Sequence, residues 1–191
     1  MYLGRGENVE TQISQLDRHH DQAVEVIKKY FNPTTNLSGV EIGTNAGDLT
    51  RKLLLELPNL SELYTVDPFL HQPGRGYEGE NIQDYHDNNK SVAQEKLKDF
   101  KDRVVMMAIK SDPAFAILIE RQVWIDFVWI DGDHNGDQVF KDIENALKLI
   151  RPGGLIGGHD YGLVPAVKKV VDYHFPNGVN TGGDFTWWVY L

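Results

Sequence analysis

Apolar positions along the chain recur with two different periods. Val9, Ile13, Leu16, Ala23, Val24, Ile27 and Phe31 stand at helical spacing, so an amphipathic helix is predicted there. It should stop near Asn32 and Pro33, because the residue before a proline is pushed out of the helical region. Short β-rich runs follow: "GVEIG" at 39–43, "LYTVD" at 63–67, "VVMMAI" at 104–109, "FVWID" at 127–131, "GGLIGGHD" at 153–160 and "FTWWVYL" at 185–191. Between them lie helical patterns from Ala46 to Leu57, up to about Phe100, after Pro113, from Asp137 to Ile150 and from Pro165 to His174. Strands alternating with helices imply a parallel sheet with helices packed on it. Only "NTGGD" precedes the last run, too short for a crossover helix, so that strand should pair antiparallel near the sheet edge.

Composition narrows the class. A chain of 191 residues, 41% hydrophobic and 25% charged, fits one domain over 1–191 with its own core. Residues 1–38 form its N-terminal helical segment. The formal net charge of −9 disfavours nucleic acid and the anionic membrane surface as partners. There is no cysteine, which removes disulfides, thiolate metal sites and a cysteine nucleophile. "MYLGRGENVETQ" has no basic stretch followed by an apolar one, and no run approaches the roughly 18 apolar residues of a membrane span. The expected location is cytoplasmic. Nothing in the residues excludes a homo-oligomer.

The chemistry gathers where the strands end. In an open parallel sheet, ligands bind beyond the carboxyl ends of the strands, and those ends carry Glu41, Gly43, Asp67, Ser111, Asp131 and Asp160. In "VEIGTNAGDLT", Gly43 and Gly47 bracket a tight strand-to-helix turn, where backbone can approach a ligand and helix N–H groups are free. Asp67 ends the next strand about 20 residues on, the place of an acid that accepts from ribose hydroxyls. Together they point to a nucleoside-containing cofactor. No glycine stands two residues after Gly43, so the dinucleotide fingerprint of a nicotinamide-dependent oxidoreductase is missing. The stretch "IDGDHNGDQVFKDIENALKLIRPGGLIGGHDY" then places Asp131, Asp133, His134, His159 and Asp160 just after two hydrophobic runs. Asp137 reads as the cap of the intervening helix. The glycine-containing stretch from His71 to Asn89 is longer than a direct connection needs, and 71–89 is therefore expected to be a lid over the acceptor.

The succession "VEIGTNAG", "YTVDP", "IDGDH", "IRPGG" and "HDY" resembles the class I S-adenosylmethionine-dependent methyltransferases. Within them it is most similar to the small metal-dependent O-methyltransferases of catechol, caffeoyl-coenzyme A and macrolide-sugar type. The resemblance runs from about Val40 to Leu191. It implies a Rossmann-like, doubly wound α/β fold: a mostly parallel seven-stranded sheet, an antiparallel C-terminal strand and helices on both faces. It also implies that Gly43, Thr44, Asn45 and Gly47 wrap the methionine part of S-adenosylmethionine, with Glu41 beneath them, that Asp67 holds the ribose, and that Ser111 and Asp112 lie near the adenine. Asp131, beside the cofactor, would ligate a divalent metal, Mg²⁺ or Mn²⁺, together with His159 and Asp160. The catechol-type enzymes have a lysine base at the position of His134, which this chain lacks, and the sugar-modifying ones use an aspartate at the position of Asp133. The base is therefore Asp133 or His134.

Methyl transfer to oxygen asks for such a set. An unactivated hydroxyl is a poor nucleophile at neutral pH, and a bound cation lowers its pKa and fixes its direction of attack. The expected activity is metal-assisted O-methylation of a small-molecule hydroxyl: a sugar, a phenol or another natural product. A metal-independent methyltransferase and a nucleotide-binding Rossmann-like protein are the alternatives.

Overall fold

The computed structural model describes residues 9–70 and 82–191, with side chains from His20 onward in the first helix. Its elements run α1 (Val9–Tyr30), β1 (Leu37–Ile42), α2 (Asp48–Glu56), β2 (Leu60–Val66), α3 (Ile82–Leu97), β3 (Val104–Met107), α4 (Ser111–Glu120), β4 (Ile125–Ile130), α5 (Gly136–Ala146), β5 (Ile150–Gly158), α6 (Pro165–His174), β6 (Asn180–Thr181) and β7 (Trp187–Tyr190). Residues 71–81 of the expected lid lie outside the described residues. Residues 82–89, expected to continue it, are instead the first half of α3.

The seven strands lie in the order β3-β2-β1-β4-β5-β7-β6. β1 to β5 are mutually parallel, and β7 is antiparallel to both β5 and β6. The expected antiparallel C-terminal strand is thus present, one place in from the edge, with the two-residue β6 outside it. From β1 the chain winds outward through β2 and β3, then returns to lay β4 on the other side of β1. That reversal opens a crevice at the carboxyl ends of β1 and β4.

Alternation of side chains along the strands divides the core in two. Val40, Ile42, Val128, Ile130 and Ile156 face α4, α5 and α6, contributing Phe115, Leu118, Val139, Ile143, Val167 and Val171. Leu63, Phe127, Trp129 and Leu155 face Ala23 and Ile27 of α1 and Leu49, Leu53 and Leu54 of α2, with Leu97 of α3 beside them. Helices therefore cover both faces, which is why all six residues of β1 are buried. Trp129, Trp187 and Phe127 are fully buried, and truncating one such ring in a close-packed core costs about 3–5 kcal/mol. Among the described residues no helix is long and apolar enough to cross a membrane.

Candidate active site at the carboxyl ends of β1, β2, β4 and β5

The turn after β1 is built around Gly43, whose φ is +100°. A Cβ there would lie 2.0 Å from the Asp131 carbonyl oxygen, so only glycine lets this turn rest on the end of β4. Asp131 N donates to Ile42 O across this contact, and Gly43 N donates to Val66 O at the end of β2, each at 2.8 Å. Asn45, at φ +47°, donates its backbone N–H to Asp67 Oδ2 at 2.9 Å. Its side-chain oxygen accepts from Asn89 Nδ2 of α3 at 2.5 Å. Asp67 Oδ1 accepts from Phe69 N at 2.8 Å. Hydrogen bonds thus tie the glycine turn to the Asp67 carboxylate and to α3.

Beneath the turn, Glu41 is buried. Its Oε2 accepts from the Thr50 hydroxyl and, at 2.7 Å, from Thr65. Since Thr65 donates there, Thr44 donates to Thr65 across their 2.6 Å contact. Burial pushes the Glu41 carboxyl up to about 8; the two threonines pull it back, and the charges of Asp131 and Asp67 push it further up. At neutral pH it is held largely in its neutral form. Glu41 Oε1 is buried and has no partner among the described residues.

On the other side of the crevice, β4 and β5 bring the acids together. Ile130 is in register with Gly158, where an added Cβ would meet Ile130 O at 2.1 Å, and His159 N donates to Ile130 O at 3.2 Å. Asp160 follows in a left-handed conformation, φ +65°, and is 5% exposed. A buried carboxylate in a strained conformation needs partners. It has two: His134 Nε2 lies 2.8 Å from Asp160 Oδ2, and His159 Nδ1 lies 3.4 Å from Oδ1. His134 Nε2 is also 3.8 Å from Asp131 Oδ1.

Asp131, His134 and Asp160 offer ligand atoms that all lie within 4.8 Å of one another. Two carboxylates and an imidazole converging at that spacing fit a divalent cation, with Asp131 and Asp160 suiting Mg²⁺ and the imidazole favouring Mn²⁺ or another transition metal. His159 stands beside this group: its Nε2 is 2.7 Å from the Asp184 carbonyl, the kind of outer bond that orients a ligating histidine. The carboxylates of Asp131 and Asp160 push the His134 imidazole up to about 10. Burial opposes ionisation of Asp160, yet His134 and His159 hold its carboxyl well below the usual range. Burial likewise opposes the charging of His159, and Asp160 outweighs it, so its pKa is raised.

Asp133 leads the turn into α5, its Oδ1 accepting from Asn135 N at 2.9 Å. The cap of α5 is Asn135, whose side chain accepts from Asp137 N at 3.0 Å; Asp137, expected as the cap, is the donor. Ser111 and Asp112 open α4, where Gln138 Nε2 reaches Ser111 Oγ at 3.0 Å and Asp112 Oδ1 at 3.3 Å. Asn89, Thr50, Thr65 and Gln138 belong to this architecture without having been singled out from the sequence. Each is an ordinary polar residue in a helix or strand, and only tertiary contact reveals it.

Residues 40–161 match a family model described as a methyltransferase domain. Among curated proteins none matches the chain. Among solved structures, the O-methyltransferase TomG of Streptomyces achromogenes, involved in tomaymycin synthesis and solved in complex with SAM, superposes with a TM-score of 0.61 at 15% identity over 99% of this chain and 92% of that one. The O-methyltransferase of Bacillus cereus in complex with SAH gives 0.58 at 15% identity over 98% and 93%. Precorrin 8W decarboxylase of Methanobacterium thermoautotrophicum gives 0.59 at 14% identity over 89% and 90%. At these identities the likeness is one of fold.

Proposed function

The chain belongs to the methyltransferase-domain family, and on that premise we propose that it moves a methyl group from S-adenosylmethionine to the hydroxyl of a small molecule, assisted by a divalent cation. The observation that carries this reading is the contact between two half-sites. The glycine turn that would hold the cofactor rests on the Asp131 carbonyl, and the Asp131 side chain belongs to the cluster with His134 and Asp160.

The roles follow from position. Gly43, Thr44, Asn45 and Gly47 line the turn for the methionine part, and Asp67 accepts from the ribose hydroxyls. Asp131, Asp160 and one or both of His134 and His159 hold the cation, which would supply Lewis acidity to the acceptor hydroxyl. The acceptor oxygen attacks the sulfonium methyl; the S–CH₃ bond breaks with its electron pair left on sulfur, and the hydroxyl proton goes to a base. An imidazole that ligates the cation has its lone pair committed and cannot take this proton, which favours Asp133 as that base. Structural neighbours that are O-methyltransferases support oxygen as the acceptor atom.

A second reading, transfer without a cation, rests on His134 itself: protonated, it offsets one of the two carboxylate charges beside it. Calorimetry with S-adenosylhomocysteine tests the cofactor assignment common to both readings. The wild type should bind, and Asp67→Ala should bind about 10-fold or more weakly, as expected on losing hydrogen bonds to a charged group. Equal affinity in a folded Asp67→Ala variant would refute the ribose role.

A further inference from the structure

A polar cluster at the junction of α4 and α5 is not used by the transfer step. Asp142 of α5 is 0% exposed. Gln138, one turn earlier on the same helix, is half-buried. Its Nε2 lies 3.0 Å from Asp142 Oδ1, 3.0 Å from Ser111 Oγ and 3.3 Å from Asp112 Oδ1. Ionised carboxylate oxygens only accept hydrogen bonds, and an amide has one donating and one accepting end. Between Asp142 and Asp112 the Gln138 amide has a single orientation: nitrogen inward, Oε1 outward. Burial pushes the Asp142 carboxyl up to about 6, with Ser111 and Gln138 pulling it back, so at neutral pH it remains an acceptor. Gln138 Oε1 makes no hydrogen bond to protein among the described residues.

The helix start to which this amide is bonded follows directly on the end of β3, beside the cofactor crevice. Asp67 N donates to Met107 O at 3.2 Å, which sets the acid that ends β2 against the end of β3. From Met107 the chain passes through residues 108–110 directly into α4 at Ser111, the residue to which Gln138 is bonded. A base attached to a ribose on Asp67 would therefore have the start of α4, backed by Gln138, as one of its walls.

We propose that Gln138 reads the base of the bound nucleoside: its Oε1 accepts a hydrogen bond from an exocyclic amino group, the 6-amino group of adenine, and Asp142 is a positioning residue that keeps the amide from turning over. This inference rests on the S-adenosyl reading above. An outward acceptor selects adenine and rejects a base with a carbonyl at the same place, because two acceptors would face each other unpaired. Were the amide free to flip, its –NH₂ end would pair with that carbonyl and the selection would be lost.

The test is a ratio of affinities. S-adenosylhomocysteine and S-inosylhomocysteine, which differ in the 6-amino group, are titrated by calorimetry into wild type, Gln138→Leu and Asp142→Asn, each confirmed folded by thermal unfolding, with Gln138→Ala replacing the leucine variant if it does not fold. The wild type should prefer the adenosyl ligand by about 10-fold or more. Gln138→Leu should bring the two ligands within a few-fold. Asp142→Asn should lower the preference as well, since asparagine can pair with either end of the glutamine amide. A purely structural role would weaken both ligands alike and leave the ratio untouched. Equal affinities in the wild type, or the full wild-type ratio in Gln138→Leu, would overturn base reading. The full ratio in Asp142→Asn would overturn the positioning role. Failure of the wild type to bind either ligand would instead overturn the cofactor reading on which the inference stands.

Discussion

Replacing Glu41 with glutamine should remove a pH-dependent loss of stability from the ligand-free protein. Glu41 is shut beneath the glycine turn with two hydroxyls on Oε2 and, among the described residues, no partner for Oε1. Burial raises its carboxyl from 4.5 to about 8 in the folded chain. The sign follows from proton uptake. Below 4.5 both folded and unfolded chains hold the proton, so the folded state is not penalised; between 4.5 and about 8 only the folded chain holds it, and stability falls as pH rises. The slope is about 1.4 kcal/mol per pH unit, which accumulates to about 4 kcal/mol by the upper end of that window. Glutamine keeps the shape and the oxygen that accepts from Thr50 and Thr65, and it does not ionise. Urea unfolding followed by tryptophan fluorescence between about pH 5 and pH 8 reads the difference. Glu41→Gln and wild type should be nearly equal in stability at the acid end and diverge steadily toward the alkaline end, with the variant the more stable. Parallel curves across the window would show that Glu41 is already ionised in the fold and refute the reasoning.

Gly43→Ala should cost about 2 kcal/mol or more, since the new Cβ meets a backbone oxygen in a left-handed conformation; an unchanged thermal midpoint would contradict the contact between the glycine turn and Asp131. Asp133→Asn should lower kcat by about 10²–10⁴-fold with cation affinity preserved, as expected for loss of a general base, whereas His134→Ala should chiefly weaken cation binding. Steady-state kinetics beside metal titrations separate them, and the reverse pattern would exchange the two roles.

The parts of this molecule that could be read from its sequence are those where burial leaves a trace in residue type. β1 and β4 are covered on both faces, so they appear as apolar runs, and a charge just after such a run, as at Asp131 or Asp160, stands out. The strand ends are legible for that reason, the turn at Gly43 from its paired glycines, and the antiparallel pairing of the last strand from the shortness of "NTGGD". β6 is not: Asn180 and Thr181 are both exposed and belong to the sheet only through hydrogen bonds to β7. The first half of α3 is not legible because its one buried residue is the polar Asn89, which leaves "IQDYHDN" looking like loop. α4 begins at Ser111, before Pro113, because a proline in the first turn removes an N–H that has no helical acceptor there. The hydrogen bonds from Thr50 and Thr65 to Glu41, from Asn89 to Asn45 and from Gln138 to Ser111 join residues 9 to 44 positions apart. No local pattern encodes them.

The most direct test of the proposed site is a titration of chelator-treated protein with Mn²⁺ in the presence of S-adenosylhomocysteine, followed by the electron paramagnetic resonance signal of the free ion. The account predicts that wild type removes one equivalent of Mn²⁺ from solution and that Asp131→Asn, still folded and still binding S-adenosylhomocysteine, removes none. A free-ion signal that tracks total Mn²⁺ in the wild type would contradict the cation site and leave the imidazoles of His134 and His159 to offset the charge of Asp131 and Asp160.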